Sequence, residues 1–159
     1  MLAVTAGTAA HGQDLRANAE DFVIGADLCM TLLHEGANPA DFLEAAGWVR
    51  RGSNPVGTSY IHGEYGVQII TSQMLGTPSC QVDGYLNDAA TRDDLDEMIE
   101  SRLSEHFGDK LNPVYRHETV PGAGFMVEQA LAALSFEDRT LGLSTRFTAM
   151  IVPENEESQ

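Results

Sequence analysis

The chain of 159 residues is the size of one domain, and folding a chain of this length removes about 70% of the unfolded surface from water, enough for one ordinary core. Apolar residues make up 43% and charged residues 21%, close to globular averages, which excludes wholesale disorder or a fibrous repeat; no apolar run approaches the length of a membrane span. Nine Lys and Arg against 24 Asp and Glu leave a net charge of −15 with no basic cluster, so phosphate backbones and anionic lipids are repelled and a basic protein is the expected kind of partner, with no nucleic acid.

Residues 1–13, MLAVTAGTAAHGQ, are small, apolar and uncharged. They read as a flexible leader or as the remnant of a signal peptide that lacks its basic start. Residues 14–152 are expected to form a single α+β domain. Between Leu15 and Glu35, Ala19, Phe22, Val23, Ala26, Cys29, Met30 and Leu33 recur every three or four residues, predicting an amphipathic helix stopped by Gly36. Asn38 and Pro39 then open a second, short helix through Phe42, Leu43 and Ala46 that ends at Gly47, after which Trp48 begins extended structure.

Gly52 to Gly57 is turn chemistry and predicts a loop. Three strands follow at Thr58–Glu64, Val67–Met74 and Ser79–Leu86, separated by Tyr65-Gly66 and Gly76-Thr77-Pro78, which suit an antiparallel meander. The strongest helical pattern begins at Thr91, with Asp94 completing a capping box, runs through Leu95, Met98, Ile99, Leu103 and His106 or Phe107, and ends at Gly108. Strands are expected at Pro113–Val120, Phe125–Phe136 and Thr140–Val152, with Glu137-Asp138-Arg139 as the last turn. Residues 128–134 have high helix propensity, but Leu141, Leu143, Phe147, Ala149 and Ile151 need a strand partner. The fold class is therefore α+β, an antiparallel sheet of five to six strands with an N-terminal helical pair and one central helix packed on it. The order of elements leaves a weak pseudo-duplication open, and residues 153–159 read as an acidic, disordered tail.

Two cysteines with no Cys-x-x-Cys and no His cluster argue against zinc and thioredoxin-type chemistry. Cys29 on the buried stripe of the first helix and Cys80 on the third strand of the meander are expected to form a disulfide across the two layers. His62-Gly63-Glu64 has the His-x-Glu spacing of the zinc-deaminase signature, yet Pro78-Ser79-Cys80-Gln81-Val82-Asp83 lacks the second cysteine that signature needs. On a strand His62 and Glu64 would share a face, which keeps an acid/base or metal role open, with His117 as a third member. Gly122-Ala123-Gly124 lacks the third glycine of a dinucleotide fingerprint. Asp93, Asp94, Asp96, Glu97 and Glu100 could hold calcium, but lie where the helix dipole favours negative charge and read as a solvated face. Arg116 and Glu118 share a strand face and predict cross-strand salt pairing.

No nucleophile constellation, cofactor motif or metal-ligand set emerges, so neither catalytic residues nor cofactors are assigned. The expected function is a non-catalytic, exported protein, periplasmic or secreted, that binds a basic partner, such as an acidic inhibitor or immunity-type protein. The alternatives are a small hydrolase or metal-dependent enzyme using His62 and Glu64, and a structural component of a larger assembly; a cytoplasmic location is the alternative to export.

Overall fold

The computed structural model describes residues 15–74, 76–87, 92–116, 119, 122–139 and 142–153. Among them are three α-helices, α1 (Ala19–Glu35), α2 (Pro39–Ala45) and α3 (Arg92–Phe107), and nine strands. The strands are β1 (Arg16–Ala17), β2 (Val49–Asn54), β3 (Gly57–Ile61), β4 (Val67–Met74), β5 (Thr77–Leu86), β6 (Tyr115–Arg116), β7 (Gly122–Val127), β8 (Ala130–Arg139) and β9 (Gly142–Ile151). The α+β class with an antiparallel sheet stands, but the sheet has nine strands rather than five to six.

The extra strands have identifiable causes. β2 occupies part of the expected loop: its ladder to β3 shifts register between Arg50 and Gly52, and all six of its residues are exposed. Such a strand carries no apolar alternation to reveal it. The expected strand Phe125–Phe136 is two, β7 and β8, joined at Glu128-Gln129, with Val127 opposite Ala130. Glu128 takes a left-handed φ of 51°, a conformation usually marked by Gly or Asn, so the hairpin has no sequence signal. Residues Leu15–Ala17 precede the first helix: Asn18 caps it in a reciprocal box with Asp21, and Arg16 and Ala17 pair in parallel with Tyr85 and Leu86. Glu137-Asp138-Arg139 continue β8, with Arg139 opposite Gly142, and do not form the turn. The capping residue Thr91, residues 1–14 and residues 154–159 lie outside the described residues.

The strand order is β2-β3-β4-β5-β9-β8-β7-β6, with β1 alongside β5. Each half is thus helical structure followed by a four-strand meander, and the last strands of the two meanders, β5 and β9, pair at the centre. The pseudo-duplication left open by the sequence exists at the level of topology. Alternation decides the faces: Cys80, Val82 and Leu86 of β5, Phe147 and Ala149 of β9 and Ala132 and Leu134 of β8 are buried under the helices. The opposite face carries Gln81, Asp83, Ser135, Ser144 and Arg146. There Arg146 donates to both carboxylate oxygens of its cross-strand neighbour Asp83, at 2.8 and 3.4 Å, and Gln81 donates to Asp83 at 2.8 Å.

α1 lies across the centre of the sheet. A Cβ at Gly25 would sit 2.7 Å from Cγ1 of Val82, so glycine is what lets the helix approach β5 this closely. One helical turn on, Cys29 and Cys80 are bonded, with Cα atoms 5.4 Å apart and neither residue exposed. The bridge joins helix layer to sheet as the alternation on β5 and the stripe on α1 imply. The Trp48 ring is buried behind α2; its indole N–H makes no hydrogen bond among the described residues, and the ring packs edge-on to His62 at 5.3 Å.

Closing a loop over 51 residues of sequence constrains the unfolded chain by about 4 kcal/mol in the entropy model. The double variant Cys29→Ala/Cys80→Ala is expected to lose stability of that order, read as a lower urea midpoint with a steeper slope, because the unbridged denatured chain is less compact; an unchanged midpoint would contradict it. Gly25→Val is expected to cost about 1–3 kcal/mol by overpacking against Val82, outweighing its smaller gain in helix propensity, measured in the same way.

Candidate functional site

The side chains singled out in the sequence do not converge. His62 and Glu64 lie beyond the end of β3 at Ile61, in the loop to β4, and do not share a strand face. The backbone N–H of Glu64 donates to His62 Nδ1 at 3.1 Å, so a neutral imidazole carries its proton on Nε2. The ring stacks on Tyr65 with centroids 4.4 Å apart and meets the edge of Trp48. His117 and Glu118 lie outside the described residues. Among the described residues, no three His, Cys, Asp or Glu side chains gather so as to hold a metal ion. Nor is any described helix long and apolar enough to cross a membrane.

The acidic run on α3 is where the structure adds most. Leu95, Ile99 and Leu103 recur at four-residue steps and are fully buried, which fixes the orientation of the helix against the core. The remaining faces separate the carboxylates into two groups. Asp96 and Glu100 turn toward the strand that follows, where Arg116 Nε donates to Asp96 at 2.6 Å and its Nη2 donates to Glu100. Hydrogen bonds to Glu100 and then Asp96 hold the Arg116 guanidinium above its ordinary value, and its single positive charge is shared between the two carboxylates. Arg116 therefore pairs with α3 instead of across the sheet.

Asp94, Glu97 and Glu105 lie instead beside α1. With Glu20 they border a groove of about 740 Å³ between the two helices, whose apolar lining is Val23 and Ile24 from α1 and Met98 from α3. Ser101 and Arg102 complete it. Spacing explains the set: residues 94, 97, 98, 101 and 105 follow one face of a 3.6-residue helix, and 20, 23 and 24 do the same one turn into α1.

Arg102, the cation among the described residues lining the groove, is already engaged. Arg102 Nε donates to Asp27 Oδ2 at 3.0 Å, and His106 Nδ1 lies 2.7 Å from Asp27 Oδ1, with Thr31 Oγ1 3.3 Å from the same ring nitrogen. Asp27 is 8% exposed, a buried carboxylate on α1 held by two groups of α3. Elsewhere, Arg50 lies against Glu44, Lys110 against Glu128 and Arg146 against Asp83. His34 joins Glu128 at 3.1 Å, holding the carboxylate of the left-handed turn residue. With these cations next to carboxylates, the surplus negative charge falls on groups such as Glu20, Asp94, Glu97 and Glu105.

Sequence reasoning found the acidic face of α3 and missed the groove, because its second wall is some 75 residues earlier in the chain, as the separation of Asp27 from Arg102 shows. The one available signal was the apolar pair Val23-Ile24 widening the stripe of α1 beyond what the sheet covers. If Asp27 fastens the two walls, Asp27→Ala is expected to cost about 1–2 kcal/mol, a value tempered by the half-exposed partners Arg102 and His106. A double-mutant cycle with Arg102→Ala should return a coupling of at least about 0.5 kcal/mol, and a coupling of zero would remove the fastening role.

Compared with protein-family models, with characterised proteins and with solved structures, the chain matches none, so the groove between α1 and α3 is assessed on its own chemistry.

Proposed function

We propose that this chain is a non-catalytic, exported interaction protein, periplasmic or secreted, that binds a basic protein partner through the groove between α1 and α3, in the manner of an acidic inhibitor or immunity-type protein. The observation that carries the reading is a groove with an apolar lining and a carboxylate border, Glu20, Asp94, Glu97 and Glu105, in which Arg102, the one cation among the described lining residues, is tied to Asp27. An apolar lining takes up the hydrophobic side of an amphipathic segment, and the carboxylates select Lys and Arg around it. The net charge of −15 adds long-range attraction that speeds the encounter.

The Cys29–Cys80 bridge supports the location, because disulfides persist in oxidising compartments. The reading of His62 and Glu64 as the centre of a hydrolase or metal-dependent enzyme draws little support, since the His62 ring is engaged by Glu64 N–H and by the rings of Tyr65 and Trp48. A role as a component of a larger assembly shares the same surface with the proposed one and differs only in the number of partners.

The test is calorimetric titration with a cationic amphipathic Leu/Lys helix of about 18 residues, and with its Leu/Glu counterpart. The cationic peptide should bind, and its affinity should fall about tenfold or more between about 50 and 300 mM salt. Asp94→Lys/Glu97→Lys/Glu105→Lys should abolish binding without altering the far-ultraviolet circular dichroism. Equal binding of the anionic peptide, or full affinity in the charge-reversed variant, would contradict the proposal.

A further inference from the structure

All three helices feed one core, on the side of the sheet where Val82 and Phe147 lie, so among the described residues the other side has no helix over it. Strand alternation shows what that side carries. Leu131 and Met150 lie opposite each other in the β8–β9 ladder, next to Ala132 and Ala149, which are buried under the helices; they are 41% and 40% exposed. Tyr115 is paired with Gly124, between buried Ala123 and Phe125, and Val49 with Ile61, next to buried Tyr60. Four of the five exposed large apolar side chains among the described residues, Val49, Tyr115, Leu131 and Met150, therefore share this face. Ile70 of β4, between buried Ile69 and Thr71, joins them.

The same face holds little of the charge of the chain. On β4, β5, β8 and β9 its charged side chains, among those described, are Asp83, Arg146 and, near the end of β8, Glu137, and Arg146 donates to Asp83. All three helices, by contrast, carry carboxylates, from Glu20 on α1 to Glu105 on α3. Two copies of a chain with a net charge of −15 repel each other strongly through the helix layer and least through the sheet. The size of the face also suits a second copy. The eight strands in line span about 34 Å at the usual strand spacing, and β4, β5, β8 and β9, of eight to ten residues, run about 26–33 Å. Allowing for shorter strands at the margins, each copy offers on the order of 800 Å², the usual size of a stable interface.

We infer that two copies of this chain pack sheet against sheet, about 10 Å apart, around a two-fold axis that runs along the strands between β5 and β9. Such an axis lays β5 of one copy over β9 of the other, and β4 over β8. The ladders then decide what meets. Asp83 of each copy faces Arg146 of the other. Ile70 faces Ala133, Leu131 faces Ser72 and Met150 faces Ser79, because the members of each pair stand at one level of the sheet. A large side chain meets a small one each time, and a cation meets a carboxylate. Sheets packed this way cross at about 30°, so the match is closest on these four central strands, next to the axis. The acidic groove lies in the helix layer and stays open in the pair, so the inference does not rest on it.

Sedimentation velocity of the intact chain at about 100 μM in about 150 mM salt should give twice the 17.2 kDa of one copy. Leu131→Lys/Met150→Lys lowers the negative charge of each copy and should still be monomeric, with unchanged far-ultraviolet circular dichroism, because each Lys would be covered without a partner. Asp83→Arg alone and Arg146→Asp alone should each be monomeric, whereas an equimolar mixture of the two should dimerise, since one copy then presents two cations to two carboxylates of the other. An ion pair that acts only within one chain is broken in both variants and gains nothing from mixing. Asp94→Lys/Glu97→Lys/Glu105→Lys should remain dimeric. A monomeric native chain, a dimer that persists in Leu131→Lys/Met150→Lys or in either single charge variant, a mixture that stays monomeric, or dissociation in the helix variant would overturn the inference. Loss of cationic-peptide binding bears only on the groove between α1 and α3.

Discussion

The contact of α1 with β5 is the constraint on which the rest of the structure depends. Gly25 brings the helix backbone down onto Val82, and one turn later Cys29 is bonded to Cys80. This seats α1 over the centre of the sheet, where β5 and β9 join the two meanders. The position of α1 then determines what its two ends can do. Near its start it forms one wall of the acidic groove with α3, and at its end, capped by left-handed Gly36, Leu32 and Leu33 border a separate hollow beside Pro39.

The second constraint is the management of charge. A chain with 24 acidic and nine basic side chains cannot pair them all, and the structure does not distribute the surplus evenly. Asp27 joins α1 to α3 by accepting from Arg102 and His106, Asp83 joins β5 to β9 through Arg146, and Asp96 with Glu100 fixes Arg116. These pairs fall where elements meet. Their value is register and orientation more than net stability, since half-exposed ion pairs contribute at most about 1 kcal/mol each. Four of the carboxylates outside these pairs, Glu20, Asp94, Glu97 and Glu105, border the acidic groove.

How much of this could be read from residues alone follows from which interactions were local. The stripe on α1 and the two-residue alternation on the third meander strand placed Cys29 and Cys80 on facing surfaces, and the bridge is there. Strand β2 was not legible, because Val49–Asn54 is exposed throughout and shows no apolar alternation; its cross-strand side-chain bond to β3 joins two hydroxyls, Ser53 and Thr58. The β7–β8 hairpin was hidden by Glu128, a poor residue for a left-handed turn, whose carboxylate lies against His34 and Lys110, both distant in sequence. The acidic groove needed both helices: the α3 stripe was visible, but its pairing with Glu20, Val23 and Ile24 is a tertiary fact.

The central claim is that the surface between α1 and α3 is where this protein meets a basic partner. Hydrogen–deuterium exchange of the intact chain, with and without a saturating cationic amphipathic peptide, locates the contact directly. The account requires added protection in the first half of α1 and along α3, with the backbone of the β5–β9 ladder unchanged. Protection confined to the sheet, or none on either helix at saturation, would contradict it.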